Sequence, residues 1–147
     1  MRHCESLGNR ENIFQGQLDL DISATGEKQL ALLALRFRNI PIDAVYSSPL
    51  KRAYKTAEAV DLYHSLPIIK LPELMEVDVG ALSGMKLDKA FADYPVFAEK
   101  WQNSPQNCIF PEGETTAEVY DRAKKGLARV KADCMGQTAV LTRHGLL

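Results

Sequence analysis

Ile42-Asp43-Ala44-Val45-Tyr46-Ser47-Ser48-Pro49-Leu50-Lys51-Arg52-Ala53-Tyr54-Lys55-Thr56-Ala57 changes its periodicity part-way along. Residues 42–46 read as a short strand of β-branched and aromatic side chains. Ser48 is then a good N-cap and Pro49 a good first helical residue. From there Leu50, Ala53, Tyr54, Ala57 and Val60 recur at i, i+3, i+4, i+7 and i+10, the stripe of a helix that buries one face. A strand that runs straight into an amphipathic helix, with no hairpin signal, is the unit from which parallel sheets are built.

The alternation continues in both directions. Upstream, Ser23 can cap a helix over residues 23–37, with Leu30, Leu33 and Leu35 on broadly helical spacing, before Asn39-Ile40-Pro41 breaks it. Downstream, residues 67–71 form a β-like run, residues 73–84 a loop punctuated by Glu and Gly, and the next stretch is helix-biased with breaks at Pro95 and Pro105. Thr115 or Thr116 can start a long helix reaching about Cys134, with Gly136 as its stop, and residues 138–142 read as a buried strand. Strand and helix therefore alternate through most of the chain. The expectation is an α/β domain whose mostly parallel sheet is covered by helices on both faces.

The 147 residues match one ordinary domain, with 46% apolar and 25% charged residues and a formal net charge of −1. No broad positive field is available for nucleic acid, so an anion site has to be local. The longest apolar run, residues 30–35, is far too short to cross a bilayer, and no apolar leader follows Met1-Arg2-His3. Neither nucleic acid nor a membrane is an expected partner. Cys4, Cys108 and Cys134 are odd in number and widely spaced, and read as reduced thiols without a zinc-ligand pattern. A cytoplasmic location follows.

In parallel α/β sheets the junctions after strands hold ligands. Lys51 and Arg52 fall in the first turn of the predicted helix, where cations meet the positive end of its dipole. That placement is sensible for Arg52 if an anion sits there, gripped by the backbone N–H groups and the guanidinium fork. Lys51 reads better as a solvated charge, and Arg52 taken alone is evenly balanced between the two. His3 and His144 each follow an arginine, whereas His64 follows Tyr63 and reads as structural or exposed. With Arg2 and Arg52, the two histidines would supply a nucleophilic imidazole and several donors for one phosphate.

These residues sit inside longer patterns. Arg2-His3-Cys4-Glu5-Ser6-Leu7-Gly8-Asn9 resembles the R-H-G-E-[ST]-x-x-N signature of the histidine phosphatase superfamily, whose fold is phosphoglycerate-mutase-like. Gly16-Gln17-Leu18-Asp19 with Ile22-Ser23 and Gly26, Ser47 through Ala57, Leu74-Met75-Glu76 with Gly80 and Gly84, Pro111-Glu112-Gly113-Glu114-Thr115, and His144-Gly145 resemble the later blocks, in the same order.

The resemblance implies a three-layer αβα sandwich, a phosphorylated His3, and a phosphate held by Arg2, Arg52 and His144, with Asn9 as a further donor. It implies that Glu76 acts as general acid and base, that Gly16 and Gln17 belong to the substrate loop, and that Glu114 has a supporting role. No cofactor or metal is expected, and the expected partner is a small phosphorylated metabolite. The resemblance also implies a single domain over residues 1–147, with part of the first strand and a C-terminal helix and strand lying beyond the sequence given. Cys4 stands where the pattern has glycine, so its Cβ and sulfur would crowd the approach of backbone and phosphate; a tolerated small buried residue is the plainer reading, and a redox-active thiol the sharper one. Val77-Asp78-Val79 after Glu76 favours phosphomonoester hydrolysis over phosphoglycerate mutase-type transfer. A catalytically inactive phosphate-binding remnant is the third reading.

Overall fold

The computed structural model describes residues 1–145. In chain order its elements are α1 (Leu7–Arg10), α2 (Ala24–Phe37), β1 (Ala44–Ser47), α3 (Lys51–Asp61), β2 (Ile68–Lys70), α4 (Leu87–Asp93), α5 (Pro95–Asn103), α6 (Thr116–Asp133) and β3 (Ala139–Thr142), with short 3-10 turns at Pro72–Leu74, Gly80–Leu82 and Pro105–Asn107. β1 lies between β2 and β3, and all three run parallel. On the far side of β3 the first residues add a further parallel pairing, Arg2 with Arg143. There the Arg143 N–H donates to the Met1 carbonyl at 2.9 Å and the His3 N–H to the Arg143 carbonyl at 3.0 Å.

Alternation along each strand sorts the core into two faces. Val45, Ile68 and Val140 pack with Ile42, Ala57 and Val60 against α2 and α3. Tyr46, Ile69 and Leu141 pack with Leu71, Leu74 and Val130 on the opposite face, against α6. Helix, sheet and helix thus form the three expected layers. A third cluster, Val77, Val79, Leu82, Phe97, Phe110 and Val119 with Phe14 and Trp101 beside it, joins α4 and α5 to the loop after β2.

Two helix starts follow local capping chemistry and a third does not. Ser23 caps α2 by accepting from the Gly26 N–H at 3.0 Å, and Thr115 forms a capping box with Glu118 at the head of α6. Ser48, however, does not cap α3. The helix begins at Lys51 after an extended Leu50, and the Lys51 N–H donates to the Asp19 carboxylate at 2.6 Å. The cap therefore comes from a loop more than thirty residues upstream, and Ser48 is left for another task. Several apolar residues also depart from expectation: Leu35 and Leu127 are exposed, and Ala139, Val140 and Leu141 in β3 are only half-buried. In α2 it is the small residues Gly26 and Ala34 that are buried; a Cβ on Gly26 would lie 2.2 Å from the Glu5 carbonyl oxygen.

Candidate active site

The ends of neighbouring parallel strands bring the two Arg-His pairs together. His3 follows the pairing of Arg2 with Arg143, and His144 follows β3, so the imidazole centroids are 5.1 Å apart. Behind them runs a buried hydroxyl chain: Thr142 Oγ1 donates to Ser47 Oγ at 2.8 Å, and Ser47 Oγ to the Ser48 carbonyl at 2.7 Å. Ser48 Oγ lies 2.8 Å from His144 Nε2 and also accepts from the Leu50 N–H at 3.4 Å.

His3 is half-buried and its Nδ1 donates to the Cys4 carbonyl at 2.5 Å. Burial, together with the charges of Arg52 and Arg2, outweighs that bond and lowers its pKa to about 4. His144 is fully buried; burial first, then Arg52 and His3, lower its pKa to about 2. Both rings are therefore neutral near pH 7. His144 Nδ1 is buried and has no hydrogen-bond partner among the described residues, and the same holds for Arg52 Nε.

Arg52 is 1% exposed, and its terminal nitrogens donate to the Gly16 carbonyl at 2.8 Å and the Leu18 carbonyl at 2.9 Å. The Lys51 N–H at the head of α3 is taken by the Asp19 carboxylate, and the Arg52 fork reaches across to latch the preceding loop. Of the five N–H donors of a guanidinium, three have no partner among the described residues. Lys51 is exposed and lies 3.8 Å from Asp19, a solvated surface pair.

Arg2, His3, Asn9, Gly16, Arg52, Glu76 and Gly145 line one cleft of about 430 Å³, whose remaining wall includes Phe14, Trp101 and Phe110. A cavity of about 500 Å³ between Pro105 and α6 is larger but gathers no histidine or arginine. His144 stands behind His3 rather than on the cleft wall. Gln17 turns away and donates to the Glu76 carbonyl at 3.2 Å. Asn9 spends its side-chain oxygen on Ser6, which leaves its amide nitrogen as the group it can offer the cleft.

Cys4 does not line this cleft. Its sulfur lies 4.0 Å from the Arg52 carbonyl, its N–H donates to Thr56 Oγ1, and burial raises its pKa. It packs as a small residue against α3 and holds a protonated thiol.

Glu76 accepts from the Val77 N–H at 3.0 Å through one oxygen and from the Gly145 N–H at 3.1 Å through the other. Its loop is held by Arg122, a residue whose role was not foreseen in the sequence. Arg122 is paired bidentately with Glu114, and also donates to the carbonyls of Glu73, Met75 and Glu76. The signal was available: an arginine three residues after the buried Val119, within the apolar stripe of α6. Burial pushes the Glu114 carboxyl upward, but bonds from Arg122 and the Asp78 N–H more than offset this and leave its pKa lowered. Gly80 and Gly113 let the two loops meet backbone to backbone: a Cβ on Gly80 would lie 2.2 Å from the Pro111 carbonyl oxygen, and one on Gly113 2.3 Å from that of Asp78.

A profile of the Histidine phosphatase superfamily (branch 1) matches residues 1–147. Phosphoserine phosphatase 1 of Hydrogenobacter thermophilus is 38% identical over 144 residues, 98% of this chain and 68% of the relative. The structure of Bacillus stearothermophilus YhfR superposes with a TM-score of 0.92 at 26% identity, covering 99% of this chain and 72% of that one. Phosphoglycerate mutase from Bacillus anthracis superposes with a TM-score of 0.88 over 99% of this chain and 73% of the mutase; at 22% identity the likeness is one of fold.

Proposed function

The chain belongs to the histidine phosphatase superfamily, and from that premise we propose that it hydrolyses small phosphomonoesters through a phosphohistidine on His3, with Glu76 as general acid and base. The observation that carries this reading is the bond from His3 Nδ1 to the Cys4 carbonyl. A carbonyl oxygen only accepts, so Nδ1 holds the proton and Nε2 keeps its lone pair. With the ring neutral at physiological pH, Nε2 is a competent nucleophile.

In the first half-reaction Nε2 attacks phosphorus, the P–O bond to the leaving group breaks, and Glu76 gives its proton to the departing oxygen. In the second, water attacks phosphorus, Glu76 takes the water proton, and the Nε2–P bond breaks to restore His3. Arg2, the three unpaired N–H donors of Arg52, and the Asn9 amide are the groups for the equatorial oxygens. His144 adds a donor through its tautomer. The Leu50 N–H occupies a lone pair of Ser48 Oγ, the Ser48 hydroxyl proton is free to donate to His144 Nε2, and the proton of His144 then resides on the buried Nδ1. Gly16 serves the substrate loop through its carbonyl on Arg52, and Gln17 does so by tying that loop to Glu76.

Hydrolysis is favoured over mutase-type transfer by the 38% identical phosphatase relative. Residues 1–147 act as a single domain in this reading. Three free cysteines, two of them buried, are in keeping with a cytoplasmic protein, and among the described residues no helix is long and apolar enough to cross a membrane.

The test is phosphate release from an aryl phosphate with chelator present. His3→Ala is expected to lower release by at least about 10⁴-fold, and only the parent protein should carry acid-labile phosphate after a rapid quench. Equal release from both proteins would overturn the phosphohistidine reading.

A further inference from the structure

Arg122 uses all five of its N–H donors, and their targets are not spread at random. Two go to Glu114, at 2.7 and 2.8 Å, and three go to the carbonyls of Glu73, Met75 and Glu76 at 3.0, 2.5 and 3.0 Å. Glu114 in turn accepts from the Asp78 N–H at 2.8 Å, and its own N–H donates to the Asp78 carbonyl at 2.9 Å. The segment that carries Glu76 is thus gripped on the near side by the guanidinium and on the far side by the carboxylate. Between Met75 and Val79 it has no helix or strand hydrogen bonding of its own to fix its shape.

We propose that the Arg122–Glu114 pair is a positioning device for the proton-transferring carboxylate: it sets where the Glu76 side chain stands over the cleft, and so the efficiency of proton delivery to the leaving oxygen. This rests on the reading of Glu76 as general acid. Neither Arg122 nor Glu114 lines the cleft, so neither touches substrate. The pair is also well placed energetically. Both side chains are mostly buried, at 19% and 23% exposure, and every charge meets a complementary partner, the condition under which a buried ion pair holds a fixed geometry. Displacing a proton donor by about 1 Å is enough to lower its contribution by orders of magnitude.

A positioning role has a signature that a merely structural one lacks. An aryl phosphate with an acidic leaving phenol departs with little need of a proton, whereas an alkyl phosphate needs one as its P–O bond breaks. The ratio of kcat/KM for β-glycerophosphate to that for p-nitrophenyl phosphate therefore reads the acid alone, since kcat/KM covers the steps through phosphorylation of His3. Arg122→Met, and separately Glu114→Gln should the first variant not fold, is expected to lower that ratio at least about tenfold. Glu76→Gln should lower it further, and Arg122→Met placed on Glu76→Gln should lower it no more, because the two act through one group. An equal loss on both substrates, or an additional selective loss in the double variant, would overturn the positioning role while leaving Glu76 as the acid. A ratio unchanged by Glu76→Gln itself would overturn the acid assignment, and the positioning role with it.

Discussion

Two arginines, Arg52 buried beside the cleft and Arg122 mostly buried behind the Glu76 segment, are used in opposite ways. Arg52, in the first turn of α3, commits two N–H groups to carbonyls and keeps three, including a fully buried Nε, without a partner among the described residues. Arg122, on α6, commits all five. A buried cation with idle donors is costly unless an anion completes it, whereas one with every donor satisfied is a fixed part of the framework. In the proposed reading the floor of the site, His3 and Arg52 with His144 behind them, receives a charged ligand. The loop that carries Glu76, the proposed acid, is built to hold still. The floor hangs from the ends of adjacent parallel strands, and the loop from side-chain bonds to its own carbonyls.

The sharpest way to break this contrast is Arg52→Lys. An ammonium cannot reach the Gly16 and Leu18 carbonyls and still face the cleft with planar donors. Turnover of p-nitrophenyl phosphate is expected to fall about 100-fold or more, with inhibition by inorganic phosphate weakened alongside it. If the Lys variant keeps its affinity for phosphate and loses only thermal stability, the idle donors do not belong to a ligand and the two arginines are alike.

The floor was largely legible in the sequence, and the physical reason is that regular structure carries it. A strand followed at once by an amphipathic helix places Arg52 at a junction, and the paired Arg-His dipeptides mark the ends of two further extended segments. The layers followed from the same alternation, and the chemistry from the ordered blocks of the resemblance. What escaped was every contact between a side chain and a distant backbone. The Asp19 cap of α3, the Gln17 tie to Glu76 and the three bonds of Arg122 to the carbonyls of Glu73, Met75 and Glu76 join residues about 30 to 60 positions apart, and no local periodicity records them. Ser48 shows the cost of reading locally. A serine ahead of Pro49 is a sound N-cap by propensity, yet its hydroxyl is drawn away by a buried imidazole that arrives from the end of β3.

That serine allows a finer test of the floor. Ser48→Ala leaves His144 Nε2 without its donor and removes the reason for Nδ1 to hold the proton. ¹⁵N spectra of the imidazole are expected to move from a single Nδ1–H tautomer to a mixture, with kcat/KM falling about tenfold, the equivalent of one buried hydrogen bond. An unchanged tautomer would mean that the floor orients His144 by packing alone, as Arg122 does not orient its loop.

The smallest effect separates the two regions by pH. Folding holds His3 and His144 neutral, with pKa values lowered from an ordinary 6.5 to about 4 and about 2. The unfolded chain therefore binds protons that the folded one refuses as pH drops below 6.5, and stability declines through that window. Each ring adds at most about 1.4 kcal/mol per pH unit to the slope. Glu114 in the acid loop also has a lowered pKa, so its contribution is lost on acidification too, but only as pH falls below its ordinary value of 4.5. Urea midpoints measured from pH about 7 down to about 5 should thus fall in the parent protein and in Glu114→Gln with the same slope, and fall less steeply in His3→Asn. Parallel slopes in all three would mean that the floor histidines are not held neutral by folding. In that case the bond to the Cys4 carbonyl would still place a proton on His3 Nδ1, but because that bond favours the charged ring, the free Nε2 lone pair of the proposed nucleophile would have to be secured by the Arg52 and Arg2 charges alone.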